Sequence, residues 1–462
     1  MGVKRMIKKI GKPVRFFPEE LNFMSDEERK EHKEALLREN IRHMYDNSPE
    51  YYQLRFKECG AEPEDIRTIE DLRKLPIFMD KDSERISMET SLEKYNHPFG
   101  LHACVDPTEI ILTGGTSGTT GHPTYPYSVT AADNDFLDSV FAFMHYIWGV
   151  GPGDRSWFIF PLGVYATTAI LGGIKKAGIL QLPIDIRLGM DPAVDLATWT
   201  KPTFVWSGPT ILIHYLDVFK EKGIDPRSFN FKIVACTGEK GIDEPAIKGR
   251  IEQEFGCRMY DFWAPSLTNP CISCNSDEFY GLHNFADDWD ISYEDLVDPE
   301  TKEPVEIKEG AIGEIVDTAL RKKGSPYLKY ATGDVVQVYF DECPGCGFKG
   351  ARGKVVGRSD DMLTVKGVNV FGAVLLESIR KVMGPKVTGH MFIIKESPSP
   401  KITNLKIIAE YAPGQENNLE QMQKEISDHC RANNRCNPKI EWVEPETLPR
   451  YARKTPVMMK RY

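Results

Sequence analysis

The sequence predicts an α/β protein: a large N-terminal domain with mainly parallel sheets and a small β subdomain, followed by a small α+β C-terminal domain. Its 462 residues exceed what one ordinary core accommodates, so two or three domains are expected. Between residues 156 and 237, short apolar runs alternate with helical segments, which favours βα units and a parallel sheet. Past Gly310 the strand-like runs become shorter, and from Asn369 they alternate with helices again.

The elements follow from apolar spacing and from turn residues. Helical spacing covers 25–55, where Ser25 and Glu28 form a capping-box pattern, and it recurs over 131–148, 374–383 and 419–431. Strands are predicted over 110–113, 156–160, 179–183, 204–207, 231–237, 313–319, 335–340, 353–356, 391–395, 405–411 and 440–443. We place a domain border at 358–361, between a domain over 1–357 and a second one over 362–462.

Composition narrows the function class. The net charge of −10 argues against a general nucleic-acid partner. No apolar run reaches the roughly 20 residues of a membrane span, and the basic first 17 residues lack the apolar centre of a signal peptide, so no stable membrane insertion is expected. Ten cysteines without a secretory signal indicate reduced thiols and a cytoplasmic protein. Small-molecule partners are therefore expected, and a homodimer remains open.

A loop rich in glycine and hydroxyl side chains lies between a strand and a helix. It runs from Thr113 to Pro123 and contains the candidate ligands Thr116, Ser117, Gly118, Thr119, Thr120 and Gly121. Glycines let the backbone approach a ligand closely, and backbone N–H and hydroxyl groups surround phosphate oxygens. The GK[ST] ending of a Walker A loop is absent. The loop therefore predicts a phosphate site of another type.

This loop resembles the phosphate-binding motif of the acyl-adenylate-forming superfamily. The match is closest to the phenylacetate–CoA ligase branch, which includes coenzyme F390 synthetase-like proteins, because Thr124 follows the loop's proline. The resemblance spans about residues 30–460. It implies an AMP-forming ligase that uses ATP, Mg²⁺ and coenzyme A to convert an aromatic or other apolar carboxylic acid to acyl-AMP and then to acyl-CoA. The alternatives are an adenylyltransferase of the F390-synthetase type and a non-catalytic nucleotide- or acyl-binding relative.

The resemblance also assigns a nucleotide pocket. Gly238, Glu239 and Lys240 resemble the segment along the adenine, and Tyr260, Asp261 and Phe262 resemble the segment whose tyrosine stacks on the base. Asp334 matches the carboxylate that bonds the ribose hydroxyls. One departure concerns Mg²⁺, because Ala264 occupies the position of the usual glutamate ligand. Asp261 and Glu239 are the candidate substitutes.

The hinge and the end of the chain carry the remaining motifs. Residues 357–371 resemble the hinge of the branch, with Arg358 near ribose or phosphate, Asp360 as the pivot, and Lys366 on a loop that enters the active site after the C-terminal domain moves. Leu448-Pro-Arg resembles the approach to the lysine that stabilises the adenylating transition state, which makes Lys454 that lysine. Arg453 replaces the usual glycine, and Arg453 and Lys460 are the rival candidates for this lysine's role.

Two Cys-x-x-Cys pairs have the spacing of metal ligands. Cys343 and Cys346 form a tight turn, Cys271 and Cys274 form the other pair, and His283 follows in Gly-Leu-His. Thiolates and imidazole suit Zn²⁺, and four protein ligands make a structural site. The predicted set is Cys274, His283, Cys343 and Cys346. A site with Cys271 in place of His283, and a metal-free pair, remain open.

The acyl pocket rests on the resemblance alone. The segment 161–167 aligns with a wall of the acyl site, which assigns Gly163 and Tyr165 to the substrate. Trp206 is a third candidate, and Trp263 a further aromatic that reaches toward the same site. Aromatic walls suit an apolar or aromatic acid.

Overall fold

The computed structural model describes residues 25–115, 128–162, 165–238, 242, 245–265, 270–366, 368–397, 399, 401–450 and 457–461. The chain divides into two compact units. The first comprises the described residues up to Asp298 together with Lys302–Thr332 and Val338–Lys354. The second comprises Pro299–Thr301, Gly333–Gln337 and the described residues from Val355 onward. The proposed hinge at 358–361 therefore lies within the second unit, and movement about it stays a prediction.

Among the helices of the first unit, those that start at Asp26, Ile69, Lys81 and Ala131 begin at side-chain caps. The helices of this unit are α1 (Asp26–Asn47), α2 (Leu54–Cys59), α3 (Ile69–Lys74), α4 (Lys81–Tyr95), α5 (Ala131–Ile147), α6 (Tyr165–Lys176), α7 (Met190–Thr200), α8 (Pro209–Glu221) and α9 (Pro245–Phe255). The predicted capping box at α1 is confirmed, because the Glu28 N–H donates to Ser25 Oγ and the Ser25 N–H to Glu28 Oε2. The helical stretch predicted for 25–55 is interrupted at Pro49, which has no N–H to donate.

A twelve-stranded sheet organises the fold. Its strands are β3 (Arg155–Phe160), β4 (Leu180–Asp185), β5 (Phe204–Ser207), β6 (Ile233–Cys236), β7 (Arg258–Trp263), β8 (Cys271–Ile272), β9 (Leu282–Asn284), β10 (Asp290–Ile291), β11 (Leu296–Val297), β12 (Ile312–Ala319), β13 (Tyr330–Tyr339) and β14 (Arg352–Arg358). The order is β10-β12-β13-β14-β9-β8-β7-β6-β5-β3-β4, with β11 paired to β12. Strands β3 to β7 pair in parallel, and β8 and β9 join antiparallel. The predicted α/β class is confirmed.

Both faces of the parallel strands are buried. Phe158, Trp206 and Phe262 belong to one core, and Trp157, Val205 and Met259 to the core on the opposite face. This alternation follows from the two-residue period of a strand. A short hairpin of β1 (Ile110–Leu112) and β2 (Val129–Thr130) stands beside this sheet and brackets the glycine-rich loop.

The second unit contains two small sheets and two helices. One sheet consists of β15 (Met362–Val365), β16 (Val368–Phe371) and β18 (Lys401–Ile402), in the order β16-β15-β18. The other has the order β20-β19-β17-β21, from β17 (Val387–Lys395), β19 (Lys406–Tyr411), β20 (Lys439–Val443) and β21 (Met458–Lys460). Helices α10 (Gly372–Met383) and α11 (Leu419–Asn433) cover one face of the four-stranded sheet.

No helix within the described part of the chain combines the length and the apolar character that a membrane crossing requires.

Candidate nucleotide site and cysteine–histidine cluster

The carboxyl ends of β5, β6 and β7 lie side by side, which is where parallel sheets place ligand sites. Thr237 and Gly238 follow β6 directly, and Gly238 has a φ of +93°, a conformation that a side chain disfavours. The predicted ligands Glu239 and Lys240 lie outside the described residues. The backbone turn after β6 therefore has the form that a close approach to a ligand requires.

Tyr260 lies within β7 and not at its end. Its ring is 5.6 Å from that of Trp148 and packs against the core that also contains Phe262. Burial raises the pKa of its hydroxyl. Trp263, the last residue of the strand, is half-buried, and the alternation of side chains directs it to the other face. The aromatic at the carboxyl edge of β7 is thus Trp263.

Asp261, between Tyr260 and Phe262 in the sequence, is buried. Its N–H donates to Ser273 Oγ at 2.9 Å, and its carbonyl accepts from the Ser273 N–H at 3.0 Å. These bonds fix the end of β7 against the segment after β8. Asp261 is the one carboxylate that β7 offers to a cation.

The glycine-rich loop begins and ends at one place. Thr113 Oγ1 and Ser128 Oγ are 3.2 Å apart, and β1 pairs with β2 immediately outside them. The candidate ligands Thr116 to Gly121 lie outside the described residues. Asp133 fastens the exit of the loop, because its carboxylate accepts from the N–H groups of Thr130, Lys323 and Gly324 at 2.8–3.0 Å.

The predicted acyl-site residues lie in different surroundings. Trp206 is fully buried, and its Nε1–H donates to His145 Nε2 at 3.0 Å. The His145 Nδ1–H donates to the Phe141 carbonyl at 2.7 Å, and burial lowers the pKa of His145 to about 4, which keeps the ring neutral. Tyr165 begins α6, and Gly163 lies outside the described residues. Trp206 therefore belongs to the aromatic core beneath the sheet, and its role in binding substrate stays a prediction.

The second unit brings the predicted ribose and hinge residues together. Arg358 Nη1 donates to Asp334 Oδ1 at 2.7 Å, and Arg358 Nε and Nη2 bond the two oxygens of Asp360 at 2.9 and 3.0 Å. The flanking carboxylates raise the pKa of Arg358 despite its burial, so the guanidinium stays charged. Gly333 has a φ of +82°, and a Cβ there would stand 2.5 Å from Arg358 Nη2. Glycine at this position therefore permits the Asp334–Arg358 pair.

Lys366 lies in the tight turn between β15 and β16 with its side chain exposed. Its φ of +51° is uncommon for lysine, and its N–H donates to the Ile402 carbonyl at 3.3 Å. Gly367 and Lys454 lie outside the described residues. The structure thus presents the Lys366 side chain to solvent on a hairpin tip.

The four predicted zinc ligands meet in the first unit. One ligand atom each from Cys274, His283, Cys343 and Cys346 lies within 4.8 Å of all the others, and we call this set the Cys/His cluster. Cys346 Sγ is 3.6 Å from His283 Nε2. A tetrahedral ion with Zn–S of about 2.3 Å and Zn–N of about 2.05 Å separates sulfur from nitrogen by roughly 3.6 Å. The cluster therefore fits zinc.

The surroundings of the Cys/His cluster orient its ligands. His283 Nδ1 bonds the Ile272 carbonyl at 3.2 Å, which turns Nε2 toward the cysteines, and burial lowers the pKa of His283 to about 4. The neighbouring Cys346 thiol and, to a smaller extent, the Ser276 backbone lower the pKa of Cys274 to about 6. The Cys343 turn is closed by a 2.8 Å bond from the Gly347 N–H to the Cys343 carbonyl.

Cys271, the alternative ligand, lies elsewhere. It is fully buried in β8, and its thiol is hydrogen-bonded to the Tyr293 hydroxyl. Neighbouring residues of a strand point to opposite faces, so Cys271 and the following Ile272, which pairs with His283, are directed apart. The described structure brings His283, and not Cys271, to the three other cysteines.

We compared the chain with protein families, curated proteins and solved structures. No protein-family model matches the chain. The phenylacetate–coenzyme A ligase of Pseudomonas putida is 30% identical over 363 residues, which cover 76% of this chain and 76% of that enzyme. The phenylacetate–coenzyme A ligase of Aromatoleum evansii is 26% identical over 430 residues, which cover 90% of each chain.

Solved structures show the same fold. A crystal structure of 2-hydroxyisobutyryl-CoA ligase with a bound acyl-AMP matches with a TM-score of 0.77 and 23% identity, over 95% of this chain and 90% of that one. An identity of 30% with a curated enzyme, over three quarters of both chains, establishes the relationship. The chain belongs to the phenylacetate–coenzyme A ligase family of AMP-forming ligases.

Proposed function

We propose that the protein is an acyl-CoA ligase that activates an apolar or aromatic carboxylic acid. A carboxylate oxygen attacks the α-phosphorus of ATP, the bond to the β-phosphate breaks, and pyrophosphate leaves. The thiolate of coenzyme A then attacks the acyl carbon, and AMP leaves with the bridging oxygen. The observation that carries the proposal is the ion pair of Asp334 with Arg358, which joins two separate motifs of the family at 2.7 Å.

Asp334 and Arg358 have complementary tasks toward the nucleotide. A carboxylate accepts from both vicinal hydroxyls of ribose, and the guanidinium holds that carboxylate in place. Bidentate contact with Asp360 fixes the guanidinium from the other side. Lys454 supplies the positive charge for adenylation, and Lys366 belongs to the thioester-forming step. These roles rest on the positions of the residues in the family motifs.

The adenine site includes a choice between two aromatics of β7. We propose Trp263 as the residue that stacks on the base, because it ends the strand at its carboxyl edge, whereas Tyr260, which is equally half-buried, lies three residues earlier. Tyr260 already uses its ring in packing against Trp148. An exposed aromatic face at a ligand edge is suited to a flat base. Replacing each aromatic by leucine in turn distinguishes the two. Replacement of the residue that stacks on adenine should raise the KM for ATP without lowering stability, and replacement of the other should not.

The described residues offer different ligands for a zinc ion and for a magnesium ion. For zinc, we propose a structural ion held by the Cys/His cluster; when bound, it would cross-link β9 to the turns at Cys274 and Cys343. For magnesium, the Ala264 side chain offers no oxygen ligand, and Asp261 is the carboxylate that β7 supplies. Mg²⁺ keeps several waters and substrate oxygens as ligands, so a site with few protein ligands is compatible with ATP chemistry.

The relatives and the aromatic core of this chain both favour an apolar acid as substrate. Two curated relatives are named for phenylacetate, and a structural neighbour for a short hydroxy acid. In this chain Trp206, Phe262 and Phe141 form the core beneath the sheet, which supports an apolar wall. An aryl acid is therefore the proposed substrate class.

The second candidate is an adenylyltransferase of the F390-synthetase type, which transfers AMP to a hydroxyl and needs no coenzyme A. The absence of a glutamate at Ala264 keeps a non-catalytic relative as the third. Pyrophosphate release over a panel of aryl and aliphatic acids, with and without coenzyme A, distinguishes the three. The proposal expects acid-dependent release that coenzyme A accelerates. Pyrophosphate release at a rate that coenzyme A does not change, or no pyrophosphate release with any acid, contradicts the proposal.

A further inference from the structure

A buried carboxylate lies on an inner strand of the four-stranded sheet in the second unit. Glu410 is on β19, where Ile407 and Ala409 face the helices and Ile408 faces the opposite side. Strand alternation places Glu410 on the side of Ile408, away from the helices. Its side chain is 0% exposed. A buried charge is costly unless it is paired, so its partners are informative.

Four hydrogen bonds satisfy Glu410. Oε1 accepts from the Leu448 N–H at 2.7 Å and from Arg450 Nη1 at 2.8 Å, and Oε2 accepts from Arg450 Nη2 and Thr388 Oγ1, each at 2.8 Å. Burial by itself would raise the pKa of Glu410, but these bonds lower it to about 2. Arg450 Nη1 also donates to the Leu448 carbonyl at 2.7 Å. Glu410 thus holds three consecutive residues in one conformation.

The strands support this arrangement. The pairing of β17 with β19 shifts register between Val387 and Met391, and Gly389 in that irregularity has a φ of +89°. The shift lies beside Thr388, whose hydroxyl donates to Glu410. Leu448 is buried among Phe392, Ile394 and Ile408 and covers the same face of the sheet. The 448–450 segment is therefore held by apolar packing and by charge together.

The far side of the Lys454 segment is also anchored. Met458 and Lys460 pair in parallel with Ile393 and Lys395 of β17, and the Ile393 N–H donates to the Val457 carbonyl at 3.0 Å. Residues 451–456, with Lys454 among them, thus connect two fixed points on one small sheet. The described residues on both sides of this segment are therefore held by the same sheet.

We infer that Glu410 is a positioning residue for adenylation: by holding Leu448 and Arg450, it fixes the entrance of the segment that carries Lys454. The inference rests on the proposed catalytic role of Lys454. Glu410 acts only through this segment and touches neither substrate nor the reacting atoms. Its effect is therefore confined to the half-reaction that uses Lys454.

The test compares the two half-reactions in Glu410→Gln. Acyl-AMP formation, measured as acid-dependent pyrophosphate exchange, is expected to fall at least about tenfold, toward the roughly 10²-fold that a 1 Å misplacement costs. Thioester formation from chemically supplied acyl-adenylate and coenzyme A stays within about twofold. Arg450→Lys, which keeps the charge but loses the two-pronged bond, gives the same split with a smaller effect.

The control is Glu425→Gln. Glu425 on α11 accepts from Lys386 at 2.6 Å and from Gln421 at 3.1 Å, and both partners lie outside 448–450 and 457–461. It is expected to leave both half-reactions unchanged. If Glu410→Gln slows both half-reactions equally, or if Glu425→Gln reproduces its effect, Glu410 is only a structural residue and the inference fails.

A double mutant separates this failure from that of the proposed function. In the Lys454→Ala background, Glu410→Gln should cause no further loss of acyl-AMP formation, because the residue it positions is already gone. Additive losses overturn the role of Glu410 and leave that of Lys454 intact. If Lys454→Ala by itself has no effect, the proposed catalytic lysine is wrong.

Discussion

The replacement of one cluster cysteine tests the zinc proposal in quantitative terms. Cys343 is nearly fully buried within the Cys/His cluster, so Cys343→Ser removes one of four ligands with little change in volume. The Cys346–His283 separation of 3.6 Å already equals the edge of a zinc tetrahedron. Binding therefore needs little rearrangement, and the ion's free energy of binding adds to the stability of the first unit.

The magnitude follows from linkage. An ion present at about 1,000 times its dissociation constant stabilises the folded state by roughly 4 kcal/mol. For a unit of this size, each kcal/mol shifts the Tm by about 2 °C, so Cys343→Ser should lower the Tm by about 8 °C. Elemental analysis should find about one zinc per wild-type chain and far less in the variant. Chelation of the wild type should reproduce the shift.

Cys271→Ser is the matched control. This variant makes the same substitution at a fully buried cysteine of the other Cys-x-x-Cys pair. The Cys271 thiol is hydrogen-bonded to the Tyr293 hydroxyl and lies outside the Cys/His cluster. The zinc content of this variant should equal that of the wild type, even if stability falls. A wild type that is metal-free and insensitive to chelators, or equal zinc loss in both variants, refutes the assignment.

Three further predictions concern the nucleotide site and its supports. Ser117→Ala with Thr119→Ala should raise the KM for ATP or lower adenylation by about tenfold or more, since each donor to a charged oxygen contributes roughly 1.5–3 kcal/mol; unchanged ATP kinetics would remove the glycine-rich loop from the site. Asp334→Asn should raise the KM for ATP more than that for the acid, because it loses the charge that pairs with Arg358; an equal effect on both would contradict a ribose contact. The third concerns pH: the pKa of Glu410 is lowered to about 2 in the folded state, so its stabilisation is present above its unfolded pKa of about 4.5 and is lost as the pH falls from there toward 2. Urea unfolding of wild type and Glu410→Gln should therefore differ more at pH 7 than at pH 3, and an equal difference at both would contradict the assigned shift.

Local patterns in the sequence predicted much of the fold. The strand predicted over 231–237 is observed as Ile233–Cys236, and the helix predicted over 131–148 as Ala131–Ile147. Both are strongly apolar segments with clear boundaries, where periodicity is most informative. The interruption at Pro49 shows the limit, since helical spacing continued across a residue that cannot donate.

The grouping of the four residues of the Cys/His cluster was predictable for a different reason. Cys-x-x-Cys spacing is local, but the meeting of the two halves depends on the antiparallel pairing of β9 with β8 and β14. That pairing also decides between the two candidates, because it orients His283 toward the cluster and Cys271 away from it. The choice depends on which strands pair, which the spacing of cysteines does not encode.

Residues that act through long-range contacts were not predictable. Glu410 reads as one charge in a strand, and its partners lie 38 and 40 residues later. The choice of Trp263 over Tyr260 likewise depends on where β7 ends and which face each side chain takes. The available signal in the sequence was a glutamate within an apolar strand segment. The spacing of residues does not identify the arginine that pairs with it.

The proposed function requires that one site first makes an acyl-adenylate and then transfers the acyl group to a thiol. Its most direct test is a single-turnover reaction with ATP labelled at the α-phosphate and an aryl acid, without coenzyme A. Labelled acyl-AMP should accumulate on the enzyme, and coenzyme A added afterwards should convert it to labelled AMP and an equal amount of acyl-CoA. Labelled ADP as product would contradict the proposed function. So would transfer of the label to a hydroxyl compound at a rate that coenzyme A does not change.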